Sequence, residues 1–316
     1  MSVGVLLIGY ALAVGTVGAA AFRRAVWPLR APRLGAAAVL AAAWSVPLAL
    51  VLAGLTLALP ASALTVDLGE LVGACLVRLR AAYGTPAGAG IVTAGQLLSA
   101  TVLGRICWAS GRLAHRRRTA WQRHRLLLRL SGQRRPGVPA VVLDHPGPAA
   151  YSVAGRRAAV VITSGAIELL TGPELDAVLA HENAHLSGRH HRWQTAAALV
   201  AEALPIVPLV RAAPVRVGGL LEMDADERAA DRHEPRVLAS ALVAITSAGT
   251  VAPGGRGHPV AARRRAGSDA AARIRRLLSP PDRLPRGRRT LTVAAVIAVT
   301  AVPLLLAAAP ALVALR

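Results

Sequence analysis

The chain has 316 residues, with 37 cationic side chains (all arginine) against 16 acidic ones, for a net charge of +21. Apolar residues make up 54% and aromatic residues only 3%. This excludes intrinsic disorder for most of the chain and argues for apolar blocks separated by basic ones, the composition of a multi-span membrane protein. The two cysteines, Cys75 and Cys107, are too few for a disulfide scaffold or a Cys-based zinc site.

Taken in chain order, residues 1–110 read as an N-terminal membrane region with three helices, 3–22, 34–59 and 86–104, each near the ~20 residues that a span needs. The third is rich in Gly and Thr and includes Gln96, but Trp108 and a basic run follow it directly. The first is expected to be a retained helix rather than a cleaved signal, because Arg23 and Arg24 come after it and no cation precedes it. A fourth helix is expected over 290–316. The positive-inside rule places Arg23, Arg24, Arg30 and Arg33 in the cytoplasm, Asp67 and Glu70 outside, and both the Arg112–Arg135 run and Arg283–Arg289 inside. The segment between the third and fourth spans is therefore expected to be cytoplasmic.

Residues 111–137 form a basic cytosolic linker. The run abuts a span and lacks interleaved aromatics apart from Trp121, so it reads as a topology signal in contact with anionic lipid, and no direct nucleic acid partner is expected. Residues 251–289 read as a second basic linker with a short helix, 252–267 within it being a mobile loop rich in Gly, Pro and Arg.

The soluble unit spans 138–250. Residues 138–144 and 158–163 are β-branched runs bounded by turns, expected as strands of a small antiparallel sheet. Thr171, Pro173 and Glu174 open a helix in a capping-box arrangement. That helix runs into His181-Glu182-Asn183-Ala184-His185, an HExxH. Two His at i and i+4 share a face and can reach one metal, while Glu182 beside them is placed to accept a proton from a water. The pattern alone also fits a surface helix. A second motif, Glu222-Met-Asp-Ala-Asp226-Glu-Arg-Ala229, lies on an expected helix over 219–232. Glu222 and Asp226 share a face, spaced to supply a third ligand and a carboxylate that orients a ligand His.

A rival third ligand is His191, since His181 to His191 also fits HExxHxxGxxH with Gly188 as the turn. That pattern needs a Met-turn, and Met223 sits inside the acidic helix instead. His190 and His191 are expected at the C-terminal end of the HExxH helix. The apolar stretch 196–210, broken by Glu202, Pro205 and Pro208, separates the two motifs. It cannot cross the membrane once, because Glu222 would then lie opposite His181. It is expected to be buried, interfacial or re-entrant.

Pro173-Glu174-Leu175-x-Ala177-Val178-Leu179-Ala180-His181-Glu182-x-x-His185, followed by Glu222-x-x-Ala225-Asp226-x-x-Ala229, resembles the membrane gluzincins. That clan includes the HtpX-type quality-control proteases and the CAAX prenyl proteases. The layout of three helices, a cytosolic zinc domain and a final helix more closely resembles the antirepressor family, the peptidase type of β-lactam sensor-transducers, in its short actinobacterial form. The resemblance covers roughly 138–232. It implies Zn2+ as cofactor, His181, His185 and Glu222 as its ligands, Glu182 as catalytic base, and a cytosolic transcriptional repressor as a candidate substrate. With only Arg316 after Leu315, the extracellular penicillin-binding sensor of the sensor-transducers is expected to be missing.

The expectation is thus a mainly α membrane protein with about four transmembrane helices and a cytosolic α+β zincin-like domain. It would be a zinc metalloendopeptidase of the bacterial cell membrane, cutting a cytosolic or membrane protein by Glu-assisted attack of an activated water. Alternatives are HtpX-like quality control, and a non-catalytic sensor that keeps the zinc fold.

Overall fold

A computed structural model describes residues 3–58, 86–134, 136–155, 158–248 and 270–314. The expected outer loop with Asp67 and Glu70, Cys75, and the expected loop 252–267 lie outside the described residues.

The apolar blocks become long helices. α1 is Val3–Arg24, followed by the single turn α2, Trp27–Arg30, and by α3, Pro32–Ala58. α4 runs from Pro86 to Ser131 over 46 residues, so much of the expected basic linker is a helical continuation of the third span. The last helix, which we number α11, is Arg286–Ala314. Four segments, Val3–Arg24, Pro32–Ala58, Gly88–Thr119 and Arg286–Ala309, are long and apolar enough to cross a membrane. The protein is a multi-pass membrane protein with a mainly helical fold.

Small residues let the spans approach closely. A Cβ on Gly54 of α3 would lie 2.4 Å from the Gly95 carbonyl oxygen and 2.2 Å from Ser99 Oγ on α4. Ser99 also donates a 2.9 Å hydrogen bond to the Val51 carbonyl, which satisfies a polar group inside the apolar interface.

The segment between α4 and α11 holds four short strands and six helices among its described residues. The strands are β1 (Gly132–Arg134), β2 (Val141–Leu143), β3 (Ala150–Val153) and β4 (Ala159–Thr163). The order across the sheet is β1-β2-β4-β3. β1–β2 and β3–β4 pair antiparallel, but β2 and β4 are parallel, so the sheet is mixed and not the antiparallel one expected. The cause is the connection after β2. It crosses over the end of β4 and returns as β3, leaving β4 between β2 and β3. Thr163 Oγ1 accepts from the Ala149 amide at 2.8 Å and Ser164 Oγ accepts from the His145 amide at 3.0 Å, pinning that crossing. Gly165 is required beneath it, since a Cβ there would lie 2.0 Å from the Pro146 carbonyl oxygen.

After β4 come α5 (Ser164–Leu169), α6 (Gly172–Ser187), α7 (His190–Ala203), α8 (Pro208–Ala230), α9 (Pro235–Ser247) and a short helix α10 over 270–278. The capping box of α6 forms: Glu174 accepts from the Thr171 amide at 2.9 Å and from its hydroxyl at 2.8 Å. α6 buries Leu179 against Val142, Val160 and Ile162 of the sheet, and Ala177 against Leu238 of α9. α7 and α8 instead share a core with the membrane helices, where Val200, Val210, Val217 and Leu221 pack with Leu7, Val39 and Val46. The helix bearing the acidic motif therefore starts at Pro208, well before the expected 219, because its first half is part of the membrane bundle.

Candidate metal centre

The HExxH lies in the C-terminal half of α6, which its capping box starts at Gly172. The 3.6-residue period puts His181 and His185 on one face with their Nε2 atoms 3.1 Å apart. α8 crosses this face and brings Glu222 to it. Glu222 Oε2 lies 3.5 Å from His181 Nε2, and Oε1 lies 3.5 Å from His185 Nε2. One ligand atom from each residue falls within 4.8 Å of the other two.

These separations fit zinc. With Zn–N and Zn–O bonds near 2.0–2.2 Å in tetrahedral geometry, ligand atoms stand roughly 3.3–3.5 Å apart. Two imidazoles and one carboxylate leave a fourth position, as in catalytic sites. The Glu222 side chain is 34% exposed, against 8% for that of His181, so the cluster is open to solvent beside Glu222. His191 is not part of the cluster: its third member among the described residues is Glu222.

Asp226 stands one turn after Glu222 and is almost fully buried. Its Oδ1 lies 3.0 Å from His181 Nδ1, the nitrogen that faces away from the cluster. Sequence reasoning missed what holds Asp226. Arg273 of α10 grips it with both arms of its guanidinium, Nε to Oδ2 at 2.7 Å and Nη2 to Oδ1 at 2.6 Å. Its Nη1 lies 3.1 Å from Glu222 Oε2. Arg273 falls in what reads as a basic linker, where Arg is so frequent that nothing in the spacing singles it out.

The electrostatics follow from this packing. Burial opposes ionisation of Glu222, but His181, His185 and Arg273 outweigh it and hold the carboxyl well below the usual range. Asp226 is depressed in the same way by Arg273 and His181, again against burial. Burial also works against a proton on His181, yet Asp226 and Glu222 raise its pKa to about 9. Burial opposes the charge of Arg273, and Asp226, Glu222 and Glu182 still hold its pKa above the ordinary arginine value. Glu182, half-buried on α6, is therefore close enough to Arg273 to be felt by it.

His190 occupies a place that the sequence did not foresee. It does not end the HExxH helix but begins α7, after a sharp turn in which Arg189 adopts a left-handed conformation (φ 53°). The turn folds the His190 ring back under α6. His190 Nδ1 lies 2.9 Å from His185 Nδ1, and His190 Nε2 lies 2.9 Å from Asp224 Oδ2. Gly188 makes this possible, since a Cβ there would lie 2.4 Å from His190 Nε2. Asp224, between Glu222 and Asp226 on α8, is buried, and Arg228 contacts it at 3.0 Å. Burial works against its charge, but His190 and Arg228 keep its carboxyl below the ordinary range.

Residues 117–252 match the profile of Peptidase family M48, and the metal cluster lies inside the matched segment. Among curated proteins, the chain is 42% identical over 69 residues to the plastoglobule-localized metallopeptidase 48 of Arabidopsis thaliana, 21% of this chain and 20% of the relative. It is 32% identical over 101 residues to a protease HtpX homolog of Aquifex aeolicus, 32% of this chain and 33% of the relative. The chain thus spans a third or less of the length of these relatives. No solved structure matches it.

Proposed function

We propose that the chain is a membrane-embedded, zinc-dependent endopeptidase of the M48 type, acting on a protein substrate at the cytoplasmic face of a bacterial cell membrane. The observation that carries this reading is the convergence of His181, His185 and Glu222 at tetrahedral spacing, on two helices of which one also packs into the membrane-spanning bundle.

His181 and His185 through Nε2, with Glu222, would hold the zinc. Bound there, zinc supplies Lewis acidity toward a water and toward a scissile carbonyl. Each imidazole must present a lone pair at Nε2 and so carry its proton on Nδ1. Asp226 lies where it fixes that proton on His181. His190 does so for His185 by accepting at Nδ1, while its own Nε2–H donates to Asp224. Glu182 follows His181, and the helix period sets it beside the ligand pair. It takes the proton that the attacking water gives up and returns it to the leaving amine. Arg273 keeps Asp226 and Glu222 ionised and in place.

An extended substrate needs a strand edge. β4 is central in the sheet and has no free edge. β3 is the edge strand next to it and packs on α6, so residues 150–153 are the better docking strand.

The test is Glu182→Gln in the full chain reconstituted in lipid. The variant should keep its zinc and lose cleavage of an unfolded reporter such as casein. Turnover equal to wild type overturns the role of Glu182.

The helical layout, three spans before the site and one after it, favours a narrower second reading: antirepressor-type signalling by one cut in a transcriptional repressor. Fragment proteomics of cells carrying wild type or Glu182→Gln separates the readings. A single lost fragment supports signalling, and many fragments of membrane proteins support HtpX-like quality control. Zinc binding with no fragment at all would leave a non-catalytic sensor.

A further inference from the structure

We infer that α7 and α8 form a re-entrant hairpin whose turn, residues 204–207, is inserted in the hydrocarbon of the leaflet on the Arg24 side of α1, with lipid acyl chains covering its apolar tip. The inference does not rest on the peptidase reading.

Three contacts set the hairpin beside the first span. A Cβ on Gly15 of α1 would lie 2.8 Å from Val207 Cγ1, and one on Gly18 would lie 3.5 Å from Leu209 Cδ2. Further on, Arg216 Nη1 donates to the Phe22 carbonyl at 2.8 Å. Residues 207, 209 and 216 thus meet 15, 18 and 22 in the same order, so the first half of α8 runs parallel to the second half of α1. Gly15 precedes Arg24 by nine residues in a continuous helix. At ~1.5 Å per residue the turn lies about 13 Å inward from the Arg24 end, near the middle of a ~30 Å hydrocarbon layer.

The turn is chemically adapted to that depth. In lipid, free backbone groups have no water to bond. Arg105, from the apolar part of α4, donates from Nε to the Ala203 carbonyl at 3.1 Å and from Nη2 to the Glu202 carbonyl at 3.0 Å, closing the open end of α7. Pro205 and Pro208 carry no amide proton to satisfy. The Glu202 carboxylate is itself held by Arg112 at 2.9 Å. Ile206 at the tip is 86% exposed and Val215 is 72% exposed, although Leu209 and Val210 between them are fully buried. An exposed isoleucine on a turn level with mid-span residues meets acyl chains, not water. Arg211, exposed on α8, lies four residues nearer the Arg24 end than Val207, about 6 Å by helical rise, and from there its long side chain can reach the headgroups.

The experiment uses the wild-type full chain in phosphatidylcholine vesicles containing a phospholipid with an acyl-chain diazirine. After photolysis, peptide mapping should find lipid adducts at Ile206 and Val215 as well as at Leu12 and Val17 of α1. Labelled α1 with no adduct between 204 and 215 overturns the inference. A second arm places a fluorophore at Ile206→Cys in a Cys75→Ser/Cys107→Ser background, with Asp176→Cys as the aqueous reference. The Ile206 probe should be quenched by brominated acyl chains and lose quenching by aqueous iodide. Iodide quenching equal to that at position 176 overturns it. The photolabelling needs no substitution, so it decides the matter even where a cysteine variant fails to fold.

Discussion

The rings of His185 and His190 meet nitrogen to nitrogen, Nδ1 to Nδ1 at 2.9 Å, and the far side of His190 ends on Asp224. One proton arrangement satisfies the whole chain: His185 donates from Nδ1, His190 accepts, and His190 Nε2–H donates to the carboxylate. This leaves His185 Nε2 free to ligate. His190→Ala should therefore weaken zinc binding by about 10–100-fold, the usual cost of losing such an outer partner. Competition against a chromophoric chelator measures it. Gly188→Ala, which drives a methyl into the His190 ring, should reproduce much of the loss without touching any polar atom. Unchanged zinc affinity in both variants would show that His190 is only packing.

Arg273 joins a distant helix to the site through a buried forked ion pair with Asp226. Removing one partner of a buried pair strands the other charge, at a cost on the order of 3–5 kcal/mol. Arg273→Ala should lower both the melting temperature and the zinc content. Arg273→Lys keeps the charge but not the fork, so it should recover part of the stability and less of the zinc affinity. Full recovery of both by lysine would argue that only charge matters here.

Glu174 ties the start of the HExxH helix to α9, accepting from Ser240 at 2.5 Å and from Thr171 twice. The Ser240 hydrogen bond first, then the Thr171 amide and hydroxyl, lower its pKa from the ordinary 4.5. A folded pKa below the unfolded one means that the contribution is complete above the unfolded value and disappears as pH falls through the folded value. Glu174→Ala should cost about 1 kcal/mol at neutral pH, typical of a lost cap. The melting difference between the two proteins should shrink towards zero as pH falls from that ordinary value through the lowered one. A difference that stays constant with pH would remove the carboxylate from the account.

The contact of Gly54 with Gly95 and Ser99 sets how closely α3 and α4 approach. Gly54→Ala should destabilise the bundle by about 1–3 kcal/mol through overpacking, read as a lower melting temperature in detergent. Gly90 has open space around its Cα, so Gly90→Ala should leave the melting point unchanged or raise it. Equal effects at the two positions would contradict the packing.

Where periodicity carries the information, the sequence was sufficient. Four apolar blocks became four long helices, and His181 with His185 occupies one face because the α-helix repeats every 3.6 residues. Glu222 and Asp226 follow the same rule on their own helix. Local chemistry also announced the capping box of Thr171 and Glu174. None of this depends on which other segment lies nearby.

Tertiary structure decided what comes from far along the chain. The parallel pairing of β2 and β4 depends on a crossing loop, and two short β-branched runs read identically in either direction. Arg273 reaches Asp226 from 47 residues away, one arginine among many, chosen only by the place where its helix docks. His190 serves His185 because a left-handed Arg189 and a bare Gly188 turn the chain back on itself. Spacing along a helix is intrinsic to the backbone, whereas the meeting of separate segments is set by how their surfaces pack.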